Sequence, residues 1–147
     1  VLVAIGGLSA SLGAADITQI EFITTSFDKS DGGNIDVRVR FNEPVVVSTS
    51  GGTPRVSITN GNQGSGSGRG PHLANYLSGT GTNELIFRCT IAAANAATNA
   101  GDILVIGANA TALNSGTIKD VATSTTNATI TNSSAIGTAA GSITVAA

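Results

Sequence analysis

The stretch IDVRVRFNEPV, residues 35–45, alternates apolar and charged side chains over seven positions and then reaches a Glu-Pro pair. In an extended chain the apolar side chains fall on one face and the charged ones on the other. This is the pattern of an antiparallel strand with one buried and one solvated side. Pro44 lacks the N–H that a sheet ladder needs, so we expect a bend or an edge there.

The same period of two recurs on both sides of this stretch. Ile17, Ile20 and Phe22 mark a strand before it. Residues 73–77 and 85–91 mark a hairpin after it, and short apolar runs at 56–59, 103–106 and 142–145 mark further strands. Strands at this spacing, separated by Gly, Asn and Pro, predict an antiparallel β-sandwich.

Composition limits the classes of protein that fit. The chain has 147 residues, of which 41% are hydrophobic, which suits a single domain. The formal net charge is −2 and the basic residues are scattered singly, which argues against a nucleic-acid or polybasic membrane partner. One Cys and one His supply neither an internal disulfide nor a ligand set for zinc, haem or an iron–sulfur cluster.

The two ends of the chain differ from its centre. Residues 1–15, VLVAIGGLSASLGAA, are apolar and small, with no positively charged start of the kind a signal peptide has. We therefore predict an N-terminal arm over residues 1–15, a domain over 16–135 and a C-terminal arm or strand over 136–147. An ordered apolar arm must be covered, so the predicted contacts with other subunits are Val1, Leu2, Val3, Ala4, Ile5, Ile143 and Val145.

One cluster of oxygen-bearing side chains has two interpretations. Asp28, Asp31, Asn34 and Asp36 form D-x-x-D-G-G-N-x-D, which has the ligand types of a calcium loop. The spacing differs from an EF-hand and no Glu closes the loop, and a turn that uses Asp and Gly explains the pattern equally well. We therefore predict no cofactor and no metal site, with calcium as the alternative.

The remaining candidate residues have structural explanations. Cys89 shares a face with the apolar residues of its strand, so we expect it to be buried. His72 follows Pro71 beside a Gly/Ser-rich stretch, which predicts a solvated loop residue. Asp102 and Asp120 adjoin turns and are expected to make turn hydrogen bonds, an ion site at the end of the sandwich being the alternative. No set of residues has the pattern of a catalytic centre, so we predict no enzymatic activity.

Three further segments carry interpretations. Residues 61–70, GNQGSGSGRG, predict a flexible loop that is a candidate contact site. Residues 91–100, IAAANAATNA, favour one or two helical turns at most. Three matches to the N-glycosylation pattern, at Asn109, Asn127 and Asn132, are expected by chance in a chain so rich in Asn and Thr.

Four blocks stand in a distinctive order, namely IDVRVRFNEPV (35–45), GTPRVSITNG (52–61), ANYLSGTGTNELIF (74–87) and GTIKD (116–120). This order resembles the immunoglobulin-like repeat of large bacterial surface proteins, the swimming-motility-associated repeat. The resemblance covers residues 17–131 and implies an immunoglobulin-like sandwich. The chain differs from the family at Cys89, where an aromatic residue is usual, in the inserted residues 61–70, and in having a single copy.

The sequence thus predicts an all-β, immunoglobulin-like antiparallel sandwich with extended N- and C-terminal arms. The leading hypothesis is a structural protein that decorates or cements a larger assembly, with a bacteriophage capsid as the first candidate and the virion surface as its location. Its partners would be other protein subunits, either copies of itself or a major capsid or filament protein. The alternative is a secreted bacterial filament subunit or adhesin at the cell surface, assembled by strand exchange. An enzyme is a third class, which would need two carboxylates facing one pocket.

Overall fold

A computed structural model describes residues 14–60, 71–93, 98, 100–123 and 125–146. Strands dominate these residues, as the sequence predicts. The elements are β1 (Ile17–Phe22), β2 (Phe27–Asp28), β3 (Gly33–Ser48), β4 (Arg55–Asn60), β5 (His72–Ser78), β6 (Thr82–Ile91), β7 (Ile103–Val105), β8 (Thr111–Ala112), β9 (Thr117–Asp120), α1 (Ser134–Ala139) and β10 (Ser142–Ala146).

The strands form one curled sheet in the order β1-β3-β6-β5-β4-β7-β10-β2. In addition, β9 pairs with β3 and β8 pairs with β4. Every strand pairing in this sheet is antiparallel except that of β10 with β2. The prediction of an all-β, mainly antiparallel fold is confirmed. The curled sheet is intermediate between a sandwich and a barrel.

The curled sheet is closed, because its two end strands follow each other directly in the sequence. The strands β1 and β2 stand at opposite ends of the sheet order but are neighbours in the sequence. Phe22 N donates a hydrogen bond to Ala140 O just before β10, and Phe27 pairs with Val145 within it. Residues 22–28 therefore run beside residues 140–146 and close the sheet on itself.

The alternating stretch 35–45 forms the central part of β3. Its apolar side chains point into the core and are fully buried, and β3 pairs with β1 on one side and β6 on the other. The register with β6 shifts between Arg40 and Val45, and Pro44 O accepts a hydrogen bond from Val121 N. Pro44 thus lies where the register of the β3–β6 ladder shifts. A residue without a backbone N–H fits there, because no ladder hydrogen bond is required of it.

A dense hydrogen-bonded turn joins β5 to β6. The hydroxyl of Tyr76 accepts from Thr80 N at 2.9 Å, and its ring packs edge-on against Phe87 with centroids 6.0 Å apart. Gly79 has φ +113°, and a Cβ there would overlap with the carbonyl oxygen of Glu84, so only glycine fits. Thr80 Oγ1 then accepts from Val47 N, which ties the turn to β3.

The helix α1 is one and a half turns long and is held at both ends. Ser133 caps it by accepting a hydrogen bond from Ile136 N. Gly137 is buried against residues 106–107, and a Cβ there would overlap with the carbonyl oxygens of Ile106 and Gly107. Ala140, at the end of the helix, accepts a hydrogen bond from Phe22 N, so the helix packs against the last part of β1.

A pair of asparagines fixes the chain just before α1. Asn132 is buried, and its side chain accepts from Ala110 N and donates to the carbonyls of Gly107 and Ser133, each bond at 2.9 Å. Asn109 donates through its N to Asn132 O and accepts through its side chain from Asn132 N. This Asn109–Asn132 clamp joins the loop after β7 to the segment that enters α1.

The C-terminal segment, residues 136–147, has the predicted strand and not the alternative of an arm, since β10 (Ser142–Ala146) contains the strand expected at 142–145. Its residues up to 146 continue the fold, first as the end of α1 and then as β10, which pairs with β7 on one side and β2 on the other. The side chains of Ile143 and Val145 are 0% and 2% exposed. These two side chains lie in the chain's own core. Both edges of β10 are also paired, so neither the two side chains nor the backbone of this strand is presented to a partner.

Candidate functional site

The chain enters the fold at a fully bonded dipeptide, Ala15–Asp16. Ala15 N donates to the Asp120 carboxylate at 2.8 Å, and Ala15 O accepts from Thr129 N at 2.7 Å. Asp16 N donates to Asn42 Oδ1, and Asp16 O accepts from Asn42 N, both at 2.9 Å. All four backbone polar groups are thus satisfied, and Ala15 is completely buried. We call these five residues the N-terminal anchor.

The anchor fixes the point at which the apolar N-terminal segment joins the domain. Two exposed apolar side chains lie close to the anchor. Val121, directly after β9, donates a hydrogen bond through its N to Pro44 O, and Val46 lies two positions after Pro44 on β3. The predicted contact residues Val1, Leu2, Val3, Ala4 and Ile5 lie outside the described residues, as does the predicted loop 61–70.

The predicted role of Asp120 is wrong in detail. Its carboxylate bonds to Ala15, 105 positions away in the sequence, rather than within a local turn. Sequence reasoning missed the N-terminal anchor because it joins three distant segments. The available signal was three polar residues in or next to strands, with Asp16 directly before β1, Asn42 within β3 and Asp120 at the end of β9.

The four calcium candidates make separate contacts. Asp28 accepts hydrogen bonds from the N and Oγ of Ser30, and Asn34 accepts from Thr90 Oγ1. Asp36 forms a two-pronged ion pair with Arg88, at 2.7 and 2.8 Å, which holds the pKa of that carboxyl below its usual range. Asp31 is exposed. Within the described ranges no three His, Cys, Asp or Glu side chains form a group that could hold a metal ion.

The outward face of β1, β3 and β6 carries a ladder of ion pairs. Of the seven basic and nine acidic residues in the chain, six meet here, in three arginines and three carboxylates. Besides the pair of Asp36 with Arg88, Arg38 bonds Glu21 and Arg40 bonds Glu84. The positive and negative charges balance, so this face has no net charge with which to attract a charged partner.

His72 is not the solvated loop residue that the sequence predicts. It begins β5 and is only 6% exposed, because its side chain points to the core side of the strand. Its Nε2 lies 2.7 Å from the hydroxyl of Thr98, which is fully buried. Burial lowers the pKa of His72, the Lys29 charge lowers it further, and the Asp102 carboxylate opposes both. Asp102 is itself buried.

Cys89 is buried as predicted, and burial raises the pKa of its thiol. A raised pKa favours the protonated thiol over the reactive thiolate. Of residues 91–100, where helical turns were predicted, half (94–97 and 99) lie outside the described residues. Of the three asparagines that match the glycosylation pattern, Asn132 already uses its side-chain amide for the hydrogen bonds of the Asn109–Asn132 clamp.

A cavity of about 350 Å³ lies where α1 meets β7 and β10. Val105, Ile106, Thr138, Gly141 and Ser142 line it, which gives it two hydroxyls and no charged side chain. This lining contains no acidic or basic side chain that could activate either hydroxyl as a nucleophile.

No helix in the described ranges has the length and apolar character that crossing a membrane requires. No protein-family model, no curated protein and no solved structure matches the chain.

Proposed function

We propose that the protein is a non-enzymatic structural module that decorates or cements a larger protein assembly through its apolar N-terminal segment. A bacteriophage capsid is the first candidate assembly, with the virion surface as the location and other protein subunits as partners. The N-terminal anchor is the observation that supports this proposal most directly. It joins an apolar segment to the domain through four hydrogen bonds of backbone groups, two of them to side chains, so that the position at which this segment leaves the domain is fixed.

The closed sheet supports contact through the N-terminal segment over the alternative of strand exchange. In the described part of the chain, β10 is paired on both sides, by β7 and by β2. A filament subunit or adhesin that exchanged β10 would first have to remove Ile143 and Val145 from its own core. That alternative therefore carries a cost that an N-terminal contact avoids.

Removing residues 1–13 tests the proposal. We expect the full-length chain to assemble, or to occupy regular positions on particles from its natural source, and the truncated chain to remain monomeric. Native mass spectrometry and electron microscopy measure this difference. At concentrations where both chains are monomeric, the thermal midpoint of the truncated chain should match that of the full chain, because Ala15 keeps its bonds. If full-length and truncated chains are both monomeric and neither is found on a particle, the proposal fails.

Replacing Asp120 by Ala tests the N-terminal anchor itself. The buried Ala15 N–H loses its acceptor, so the free energy of unfolding should fall by about 1–3 kcal/mol. Asn42→Ala is the matched control: it removes the exposed side-chain bond to Asp16, where water replaces the lost oxygen, and should cost less than about 1 kcal/mol. Urea denaturation measures both. Equal losses would show that burial of the Asp120 bond contributes nothing.

A further inference from the structure

The outward side of the sheet has a charged part and an uncharged part. The ion pairs lie on β1, β3 and β6. Beyond them, five side chains that alternate with buried ones cross four strands, namely Leu73 on β5, Ser57 and Thr59 on β4, Val105 on β7 and Ser142 on β10. They are cross-strand neighbours, because Leu73 pairs with Ser57, Thr59 with Val105, and Val105 with Ser142. None of the five is charged, and we call them the uncharged strip.

The strip is cheaper to cover than the ion pairs. The hydroxyl of Thr59 donates to Val105 O at 3.2 Å, so it has a partner within the sheet, and Leu73 is 36% exposed. Covering these groups removes apolar surface from water, which is favourable. Covering the ion pairs of β1, β3 and β6 would instead remove hydration from six charged groups, which is costly. An uncharged partner therefore fits the strip better than it fits the charged part.

The strip ends at the cavity of about 350 Å³ between α1, β7 and β10. Val105 and Ser142 belong to the strip and also line the cavity, and Thr138 and Gly141 are exposed at its rim. An apolar cavity of about 150 Å³ is large enough to hold a benzene molecule. The present cavity therefore has room for the side chain of a leucine or an isoleucine.

We propose that the uncharged strip and the cavity bind residues 1–13 of a second copy of this chain, with a leucine or isoleucine side chain of that segment in the cavity. The inference rests on the proposed function and names the partner and its binding site. Residues 1–13, VLVAIGGLSASLG, contain no charged side chain, so their chemistry matches the strip. Because both edges of β10 are paired, the contact is made by side chains and not by an added strand.

The position of the N-terminal anchor favours a second copy over the chain's own segment. The anchor holds Ala15 at the start of β1, whereas Phe22 at the end of β1 bonds to Ala140, directly before the cavity residue Gly141. Seven residues of extended chain separate Ala15 from Phe22, a distance of about 23 Å. The chain's own segment would have to turn back along β1 and pass α1, which packs against the end of that strand.

This contact is head-to-tail, because the segment of one copy meets the strip of the next. A contact of this kind leaves one segment and one strip unused in every pair. Such an assembly grows into a closed ring or an open chain, and not into a symmetric dimer.

A disulfide cross-link between two full-length variants tests the site. Chains with Ala4→Cys are mixed with isotopically heavy chains with Thr138→Cys, at a concentration where the unmodified chain assembles, and are oxidised mildly. Cys89 is buried and does not compete. Mass spectrometry should find a mixed disulfide at least about tenfold more often than with Thr90→Cys, an exposed position beside the ion pairs, because contact raises the effective concentration of the two thiols.

Thr138→Trp gives an independent test, because a large side chain at the rim fills the cavity. The dissociation constant for assembly should rise about tenfold or more, the effect of losing one buried aliphatic side chain. Ala135→Trp is the matched control: it is exposed on the same helix but does not line the cavity, and should leave assembly unchanged. Sedimentation measures both, and circular dichroism shows whether each variant is folded.

The outcomes separate this inference from the proposed function. Assembly that needs residues 1–13 but gives no preferred cross-link to Thr138→Cys overturns the inference and leaves the proposed function standing. A chain with both cysteines that closes a disulfide within one monomer overturns it as well. If residues 1–13 make no difference to assembly, both fail. Should Thr138→Trp not fold, the cross-link still decides the question.

Discussion

Replacing Ile143 by Ala is expected to lower the free energy of unfolding by about 2–5 kcal/mol. The side chain of Ile143 is fully buried, and β10 is held between β7 and β2, so the core cannot easily collapse into the space left by the missing atoms. Urea denaturation followed by circular dichroism measures the loss. Its size also distinguishes an internal strand from a C-terminal arm, which would contribute little to the stability of a monomer.

Thr144→Ala is the control for this prediction. Thr144 lies on the same strand but points to solvent, so its replacement changes strand propensity without opening a cavity and should cost less than about 1 kcal/mol. Equal and small losses at both positions would show that β10 does not belong to the folded core in solution.

Replacing Asn132 by Asp is expected to cost about 3 kcal/mol or more at pH 7. The two side chains have nearly the same shape, but the carboxylate loses both N–H donors and faces the carbonyl oxygens of Gly107 and Ser133. Burial of this uncompensated charge raises the pKa of the new carboxyl in the folded state. Stability should therefore be partly regained at low pH and lost as the pH rises through that pKa.

Asn127→Asp provides the comparison, since Asn127 is exposed and also begins a glycosylation pattern. Its replacement adds the same charge at the surface, where we expect a change within about 0.5 kcal/mol. Thermal unfolding of both variants at pH 4 and pH 7 separates the two positions. A similar small effect at both would contradict the Asn109–Asn132 clamp.

The strands of this fold could be predicted because their signal is local. The alternation of Ile35, Val37, Val39 and Phe41 with charged residues defined the buried face of β3, and a similar pattern placed Cys89 in the core. Pro44 marked the irregularity because a missing N–H is a property of one residue. Each of these predictions needed only the order of neighbouring side chains.

The sites could not be predicted because they depend on which distant segments meet. The Asp120 carboxylate bonds Ala15, and the Asn132 side chain bonds the loop at Gly107 and Ala110. His72 looked like a loop residue beside Pro71, and its burial follows from the position of β5 between β4 and β6. The strand at 142–145 was predicted, but an arm stayed open as the alternative because the partner strands β7 and β2 lie in distant parts of the sequence.

The closure of the sheet also has a consequence for how the chain acquires its structure. Phe27 and Val145 are paired although they lie 118 positions apart, so β2 cannot complete its pairing until β10 has been synthesised. Pairings of such large sequence separation form slowly, because a long loop must be ordered before any contact compensates for it. During synthesis the domain therefore stays open until residue 146 has left the ribosome, and its apolar interior is exposed to chaperones and to other nascent chains for that whole period.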